Sequence, residues 1–398
     1  MTSLLKIQNF KSIQDLEMEL GDFSIFIGEN GSGKSNILEA LIFASAASAN
    51  KLDNEFLYTR GIRVSKPEFM FSAFEKKELD EKLRINIEYN TVKSEIYWKD
   101  TIWFTKELDS MIALGEIPRN DDGQVSDDFI SKLASYVIAK ANSMNLNLDI
   151  NKEDLIEIDK DLDRKYGYVI SHTILKAVKG IDIDFLAYYP EYSVLKNIDS
   201  EGQILPFGIR GEGVFRYIKS LIVEKKIDKL NEIKAYLELF DWFSDISFDD
   251  SNGFSMDYSI KIKDRYIDSE YSFFDHKSTN EGFLYVLFYI CLFVHENTPK
   301  VFAIENIENS LNPKLCTKII ELLVKLGKKY HKKVIITTHN PACLDGLDIK
   351  DPEQTLFTIY RNKQGHTKAN RIEAKPEQNL KLSESFMRGF LGGLPTGF

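Results

Sequence analysis

A glycine-rich loop near the start of the chain limits the fold more than any other feature. The stretch GENGSGKSN, residues 28–36, follows the apolar run FSIFI and opens the helical pattern SNILEALIFASAASA. It fits the phosphate-loop pattern G-x-x-x-x-G-K-S/T in the strand-to-helix context that this pattern requires, which argues against a chance glycine-rich turn. Backbone N–H groups of such a loop surround nucleotide phosphates at a helix N-terminus. The sequence therefore predicts an α/β nucleotide-binding fold.

The loop positions have expected roles in binding ATP and Mg²⁺. Lys34 is expected to neutralise the β and γ phosphate oxygens, and the Ser35 hydroxyl to hold the Mg²⁺ ion. The remaining predicted nucleotide-binding residues of the loop are Glu29, Asn30, Gly31, Ser32, Gly33 and Asn36.

The composition excludes several other classes of protein. Hydrophobic residues make up 43% and charged residues 28% of the 398 residues, as in globular proteins. No apolar stretch reaches membrane-spanning length and the first residues lack the plan of a signal peptide, so a cytoplasmic protein without a membrane partner is expected. The net charge of −10 still allows a local basic groove for nucleic acid. Three cysteines without paired spacing predict buried thiols, not disulfides or a zinc site.

Strand and helix patterns divide the chain into three predicted parts. Residues 1–104 carry the phosphate loop and antiparallel strands, and residues 183–398 carry further strands, helices, a late hairpin and a tail. Between them, residues 105–182 have a helical and polar pattern without repeats or low complexity. We therefore expect one α/β unit, a mixed sheet with flanking helices, that contains a largely helical insertion.

A second motif, VFAIENIENSLNP at residues 301–313, is an apolar strand that ends in acids. Together with the phosphate loop and VIITTHNP at residues 334–341, it resembles the ABC-type ATPases of the SMC, RecF and overcoming-lysogenization-defect group. That group has Asp-Glu-Pro-Glu after the strand and Leu-His-Pro further on. The resemblance implies that Glu305 takes the place of the magnesium-linked Asp, Asn306 that of the general-base Glu, and Glu308 that of the second acid. An ordinary buried strand with a polar end is the alternative.

The same resemblance implies two further sites. His339 matches the histidine that reaches the γ-phosphate and the attacking water. The stretch KSTNEGFLYVLF, residues 277–288, has the position of the signature loop with which a second head contacts ATP. Its contact residues would be Asn280, Glu281 and Gly282, with Asn280 in place of the usual Ser. A simple helix cap is the other interpretation of this stretch.

Asn306 decides the expected mechanism. An amide cannot accept a proton from water, so a site with Glu305 for the metal and Asn306 at the position of the base should bind Mg-ATP and hydrolyse it slowly, unless Glu308 replaces the missing base. Slow turnover suits a switch, in which ATP holds two heads together as a homodimer or higher oligomer.

Three functions follow from the resemblance. The first is the ATPase subunit of a bacterial anti-phage system, acting on a separate nuclease or toxin, because about fifty residues after residue 345 are too few for a nuclease domain. The second is a RecF-like ATPase that binds DNA during repair, and the third, a transporter subunit, is disfavoured by the long insertion. The apolar tail FMRGFLGGLPTGF, residues 386–398, is expected either to complete the core or to dock on a partner.

Overall fold

The protein is described here from a computed structural model. The described residues are 3–48, 51–52, 54–63, 70–72, 84–89, 92–99, 102–105, 185–197, 204–248, 260–267, 273–275, 279–373 and 380–392.

The described residues form strands and helices with the following bounds. The strands are β1 Ser3–Phe10, β2 Ile13–Leu20, β3 Phe23–Ile27, β4 Arg84–Tyr89, β5 Val92–Lys99, β6 Ile102–Thr105, β7 Phe185–Tyr188, β8 Phe243–Phe248, β9 Ile260–Asp264, β10 Phe273–Asp275, β11 Val301–Ile304, β12 Lys333–Thr338, β13 Gln354–Arg361 and β14 Thr367–Ile372. The helices are α1 Lys34–Ser48, α2 Asn54–Thr59, α3 Tyr192–Leu195, α4 Val214–Val223, α5 Ile227–Leu237, α6 Glu281–Val294, α7 Pro313–Tyr330 and α8 Leu382–Met387, with a 3-10 helix at Pro341–Gly346.

A six-stranded mixed sheet brings the two ends of the chain together. Its order is β14-β13-β3-β12-β11-β7, and all neighbours are parallel except the β13–β14 pair. The strand before the phosphate loop, β3, lies between β12 and β13. Because parallel strands end at the same edge, the phosphate loop, the acids after β11 and His339 after β12 must meet there.

Both faces of this sheet are covered, which explains why its strands are nearly continuous apolar runs. One face packs on α4, α5, α6 and α7, while the other packs on α1. Every residue of α6 from Gly282 to Val294 is buried. A helix that is apolar on all sides is stable only inside a core, so α6 is the centre of the helical layer.

A second, antiparallel sheet covers the other side of α1. Its order is β2-β1-β4-β5-β6, and the inward residues of β1 and β2 share one core with α1. A short three-stranded sheet, β10-β9-β8, packs near the end of α5. The molecule thus stacks an antiparallel sheet, the phosphate-loop helix, the mixed sheet and a layer of helices.

The structure confirms the mixed α/β fold and the strands and helices predicted around the three motifs. The three cysteines are free and buried, as expected. The predicted helical insertion, residues 105–182, lies outside the described residues, so the three-part division stays a prediction. In the tail, Leu391 is buried and Phe390 is exposed, and residues 393–398 are not described. None of the described helices has the length and apolarity needed to cross a membrane.

Candidate nucleotide site

The phosphate loop depends on its glycines for space. A Cβ atom on Gly28 would lie 2.1 Å from the Ile359 carbonyl oxygen, and one on Gly33 would lie 2.0 Å from Thr367 Oγ1. Gly33 also has a φ of 106°, a backbone conformation that residues other than glycine rarely adopt. The strand pair β13–β14 therefore supports the loop from behind, and only glycine fits between them.

Lys34 holds the loop from inside. Its Nζ donates to the carbonyl oxygens of Gly28 at 2.9 Å and Glu29 at 3.0 Å. Burial lowers the pKa of Lys34 to about 8, while the charges of Glu308, Glu305 and Glu29 act in the opposite direction. The ammonium thus lies close to the acidic motif as well as the loop.

The two predicted magnesium ligands touch each other. Ser35 Oγ donates to Glu305 Oε2 at 3.1 Å, although the residues are 270 positions apart in the sequence. Burial raises the pKa of the Glu305 carboxyl, and the hydrogen bond from Ser35 opposes this change. A divalent ion would favour the ionised carboxylate, so its binding and the deprotonation of Glu305 are coupled.

Asn306 follows Glu305 in a left-handed backbone conformation, with a φ of 50°. Its N–H donates to Thr337 Oγ1 at 3.0 Å, which fixes the turn after β11 against β12. Asparagine tolerates this conformation better than glutamate does. Asparagine at this position therefore suits the left-handed backbone, and it also lacks a basic group.

Glu308 and His339 face each other across the ends of β11 and β12. Glu308 Oε1 accepts a hydrogen bond from the His339 backbone N–H at 2.8 Å. Its other oxygen, Oε2, is buried and has no hydrogen-bond partner among the described residues. Burial lowers the pKa of His339, and the Lys34 ammonium lowers it further. The imidazole is therefore neutral at neutral pH, with one ring nitrogen that can donate a hydrogen bond and one that can accept.

Several of these groups line a cavity of about 290 Å³, although Glu305 and Glu308 are not among its lining residues. The residues that line it are Asn30, Gly31, Ser32, Gly33, Lys34, Ser35, Asn36, Arg63, Asn306, Thr337, His339 and Arg361. Three of them, Arg63, Thr337 and Arg361, were not predicted as site residues. Thr337 belongs to the motif VIITTHNP, whereas neither arginine belongs to a recognisable sequence pattern.

The turn between β1 and β2 braces the loop. Ser12 Oγ lies 2.7 Å from Thr367 Oγ1 and accepts a hydrogen bond from Asn36 Nδ2 at 2.6 Å. Thr367 Oγ1 also lies 2.9 Å from the Ser32 carbonyl oxygen and donates to it. This chain of contacts joins the antiparallel sheet, the phosphate loop and the late hairpin, so the predicted ligand Asn36 is held in place from outside.

The predicted signature residues lie apart from this cavity. Asn280 is the N-cap of α6 and accepts a hydrogen bond from the Phe283 N–H at 3.3 Å. Gly282 is buried, and a Cβ atom there would lie 2.8 Å from the Ser310 carbonyl oxygen. Asn280 itself is exposed. The helix-cap interpretation is therefore correct, and contact with a second head stays a prediction.

The donor set of the cavity fits a magnesium–nucleotide pair. Besides Glu308 Oε2, the buried Ser32 Oγ has no hydrogen-bond partner among the described residues, and a phosphate oxygen would supply one. The described residues contain no cluster of three or more His, Cys, Asp or Glu side chains suited to a metal. Ser35 and Glu305 alone suit Mg²⁺, which is usually held by one or two protein ligands together with phosphates and water.

Comparison with known proteins agrees with this geometry. The model of the family described as "AAA ATPase domain" matches residues 1–282. A second model, described as "AAA domain, putative AbiEii toxin, Type IV TA system", matches residues 220–345. No curated protein matches the chain significantly.

Similar solved structures are head domains of SMC proteins. The SMC head domain from Thermotoga maritima has 13% identity and a TM-score of 0.43, over 94% of this chain and 99% of that one. The Smc head domain of Pyrococcus furiosus with an extended coiled coil, bound to the C-terminal domain of ScpA, has 15% identity and a TM-score of 0.44, over 97% and 98%.

The family match spans the phosphate loop and most of the chain, and the expected resemblance to AAA-type ATPases is confirmed. The chain belongs to the AAA ATPase domain family.

Proposed function

We propose that the chain binds Mg-ATP at the phosphate loop and hydrolyses it slowly, so that bound nucleotide acts as a timed switch. The contact between Ser35 Oγ and Glu305 Oε2 carries this proposal, because it joins the loop to the acidic strand at the position of a metal. When bound, Mg²⁺ neutralises charge on the phosphate oxygens.

The residues of the chain divide the remaining work. Lys34 exchanges its bonds to the Gly28 and Glu29 carbonyl oxygens for bonds to phosphate oxygens. The N–H groups at the start of α1 add their partial positive charge. Neutral His339 lines the same cavity and is suited to orient a water molecule near the terminal phosphate.

Proton removal from that water is the weak step. Asn306 lines the cavity but has no basic group, whereas Glu308 has a carboxylate whose Oε2 accepts no hydrogen bond from the described part of the chain. Glu308 does not line the cavity, and its Oε1 is engaged by the His339 backbone. The function therefore includes slow hydrolysis, with Asn306 in place of an effective base.

Substitutions at position 306 test this proposal. Asn306→Glu should raise the steady-state rate of ATP hydrolysis about tenfold, which is a modest general-base contribution. Asn306→Gln is the matched control, because it imposes the same strain on the left-handed turn without adding a base. The measurement is phosphate release at saturating ATP. An unchanged rate in Asn306→Glu, together with loss of hydrolysis in Glu308→Gln, would make Glu308 the base. The explanation of slow hydrolysis by Asn306 would then be wrong.

We further propose that ATP joins two heads and that the dimer regulates a separate effector, a nuclease or toxin, in cytoplasmic anti-phage defence. The family model named for a putative AbiEii toxin supports the link to a toxin system. Asn280, exposed at the N-terminus of the 14-residue helix α6, supports the head-to-head contact, because this end favours a partner's phosphate.

Asn280 offers a test of the dimer that keeps the helix cap. Asn280→Asp and Asn280→Ser both retain a capping oxygen, so the melting temperature should stay the same. Only Asp adds negative charge, which would repel the partner's γ-phosphate and should weaken ATP-dependent dimerisation about tenfold or more. Light scattering with ATP and Mg²⁺ measures the mass. Equal dimerisation of the two variants would exclude Asn280 from the contact.

A further inference from the structure

Arg361 is the last residue of strand β13 and lines the candidate nucleotide cavity. It belongs to none of the sequence motifs. Its Nε donates to the Gly31 carbonyl oxygen at 2.7 Å, and its Nη1 donates to the Gly365 carbonyl oxygen at 3.4 Å. Gly31 is part of the phosphate loop itself. The guanidinium is therefore held beside the loop by two backbone carbonyl oxygens.

Arg361 is exposed, and no described residue forms an ion pair with it. None of the described carboxylates lies within ion-pair distance of its guanidinium, whereas three other arginines have such partners. The contrast with Arg63, which lines the same cavity, is direct. Arg63 Nε donates to Glu39 Oε1 at 2.7 Å, and Glu39 is a buried carboxylate that Lys11 also contacts. Arg63 thus shares a carboxylate partner with Lys11, whereas Arg361 has none among the described residues.

We infer that Arg361 is a second cationic contact, besides Lys34, for the phosphates of the bound nucleotide. A guanidinium has five N–H groups, and the two contacts above use two of them. Three remain for phosphate oxygens, and its planar fork suits that geometry. This inference rests on the proposed function, since it assumes that the cavity takes a nucleotide.

Two other roles for Arg361 predict different behaviour. A guanidinium that stacked on the base would recognise the nucleoside and ignore free polyphosphate. A guanidinium that only braced the Gly31 carbonyl would act through its Nε–H, which lysine cannot reproduce. A phosphate contact depends on positive charge, so lysine should recover part of it and free polyphosphate should depend on it as ATP does.

The experiment compares wild type with Arg361→Gln, Arg361→Lys and the control Arg371→Gln. Arg371 lies on β14, does not line the cavity and has only a weak pair with Glu19 at 3.9 Å. Affinities for ATP and for inorganic tripolyphosphate are measured by calorimetry, and melting temperatures confirm folding. For Arg361→Gln we expect both affinities to fall about 10- to 100-fold, as for loss of a charged hydrogen bond. Arg361→Lys should be intermediate and Arg371→Gln unchanged.

Several results would overturn the inference. Unchanged ATP affinity in Arg361→Gln would exclude any contact with the nucleotide. A loss for ATP but not for tripolyphosphate would assign Arg361 to the base, and equal losses in the Gln and Lys variants would reduce it to a brace. If wild type bound neither ATP nor tripolyphosphate, the proposed function itself would fail, and this inference with it.

Discussion

The two edges of the six-stranded sheet differ in how completely their polar groups are satisfied. At the carboxyl edge, Ser32 Oγ and Glu308 Oε2 have no partner and Arg361 has no carboxylate among the described residues. At the amino edge, Lys333 pairs with Asp22 at 2.8 Å, and a second lysine pairs with Asp351 at 2.7 Å. The amino edge has the larger cavity, about 370 Å³ against about 290 Å³. Asp22 Oδ1 at the amino edge also accepts no hydrogen bond from the described residues, but Lys333 balances its charge. Cavity size therefore does not identify the binding site, whereas the charged groups without an ion-pair partner at the carboxyl edge do.

Two buried lysines sharpen this comparison. Lys34 at the carboxyl edge and Lys332 at the amino edge both donate to backbone carbonyl oxygens. Lys332 has the fuller set, since it contacts the carbonyls of Leu292, His295 and Thr298 and the Thr298 hydroxyl. These acceptors lie in the last turn of α6 or shortly after it, where the helix leaves carbonyls without intrahelical partners. Lys332 is thus a structural cap, whereas Lys34 has two contacts that a phosphate can replace.

The largest expected effect is at Lys34. Lys34→Ala removes the charge that faces the β and γ phosphates and should lower ATP affinity at least about 100-fold, with the fold intact. Titration with ATP and Mg²⁺ measures the loss, and circular dichroism checks the fold. Lys328→Ala at the amino edge is the matched control, because it removes a lysine of the other cavity and should leave ATP affinity unchanged. Unchanged affinity in Lys34→Ala would contradict the assignment of the phosphate loop.

The sequence motifs predicted the phosphate loop, Glu305 and His339, but they did not predict Arg361, and the difference has a physical reason. The phosphate loop, Glu305 and His339 each follow a buried strand, and parallel pairing makes such residues meet. Arg361 reaches the loop because β13 pairs with β3 in parallel, with Leu356 opposite Ile25. That pairing joins residues more than 330 positions apart, and no local pattern encodes it. No local pattern encodes the left-handed turn at Asn306 either, so the sequence indicates the chemistry of its amide but not its backbone conformation.

A smaller effect, on stability, is expected at Lys332. Lys332→Met keeps the aliphatic stem but removes the donor to the Thr298 carbonyl oxygen and leaves those of Leu292 and His295 to share the Thr298 hydroxyl. This should lower the free energy of unfolding by about 2–3 kcal/mol. Denaturant unfolding measures this change. ATP affinity at a temperature where the variant is folded should equal that of wild type. Loss of ATP affinity without loss of stability would reverse the roles assigned to the two edges.

The smallest expected effect is a pH dependence that only one of the two lysines can produce. Burial lowers the pKa of Lys34 to about 8, and that of Lys332 to about 7. Phosphates favour the protonated Lys34, so ATP binding above its pKa must take up a proton. ATP affinity should therefore hold below about pH 7.5 and fall about tenfold by about pH 9, where most of the free protein has lost that proton.

Lys34→Arg separates this effect from the titration of Lys332 and other groups. Arginine stays charged throughout the range, so its ATP affinity, although changed by the different geometry, should be independent of pH. The Lys332→Met variant should keep the dependence of wild type, because the amino edge does not contact the nucleotide. A pH dependence of ATP affinity that persisted in Lys34→Arg and disappeared in Lys332→Met would show that the amino edge affects nucleotide binding. The distinction between the two edges would then be wrong.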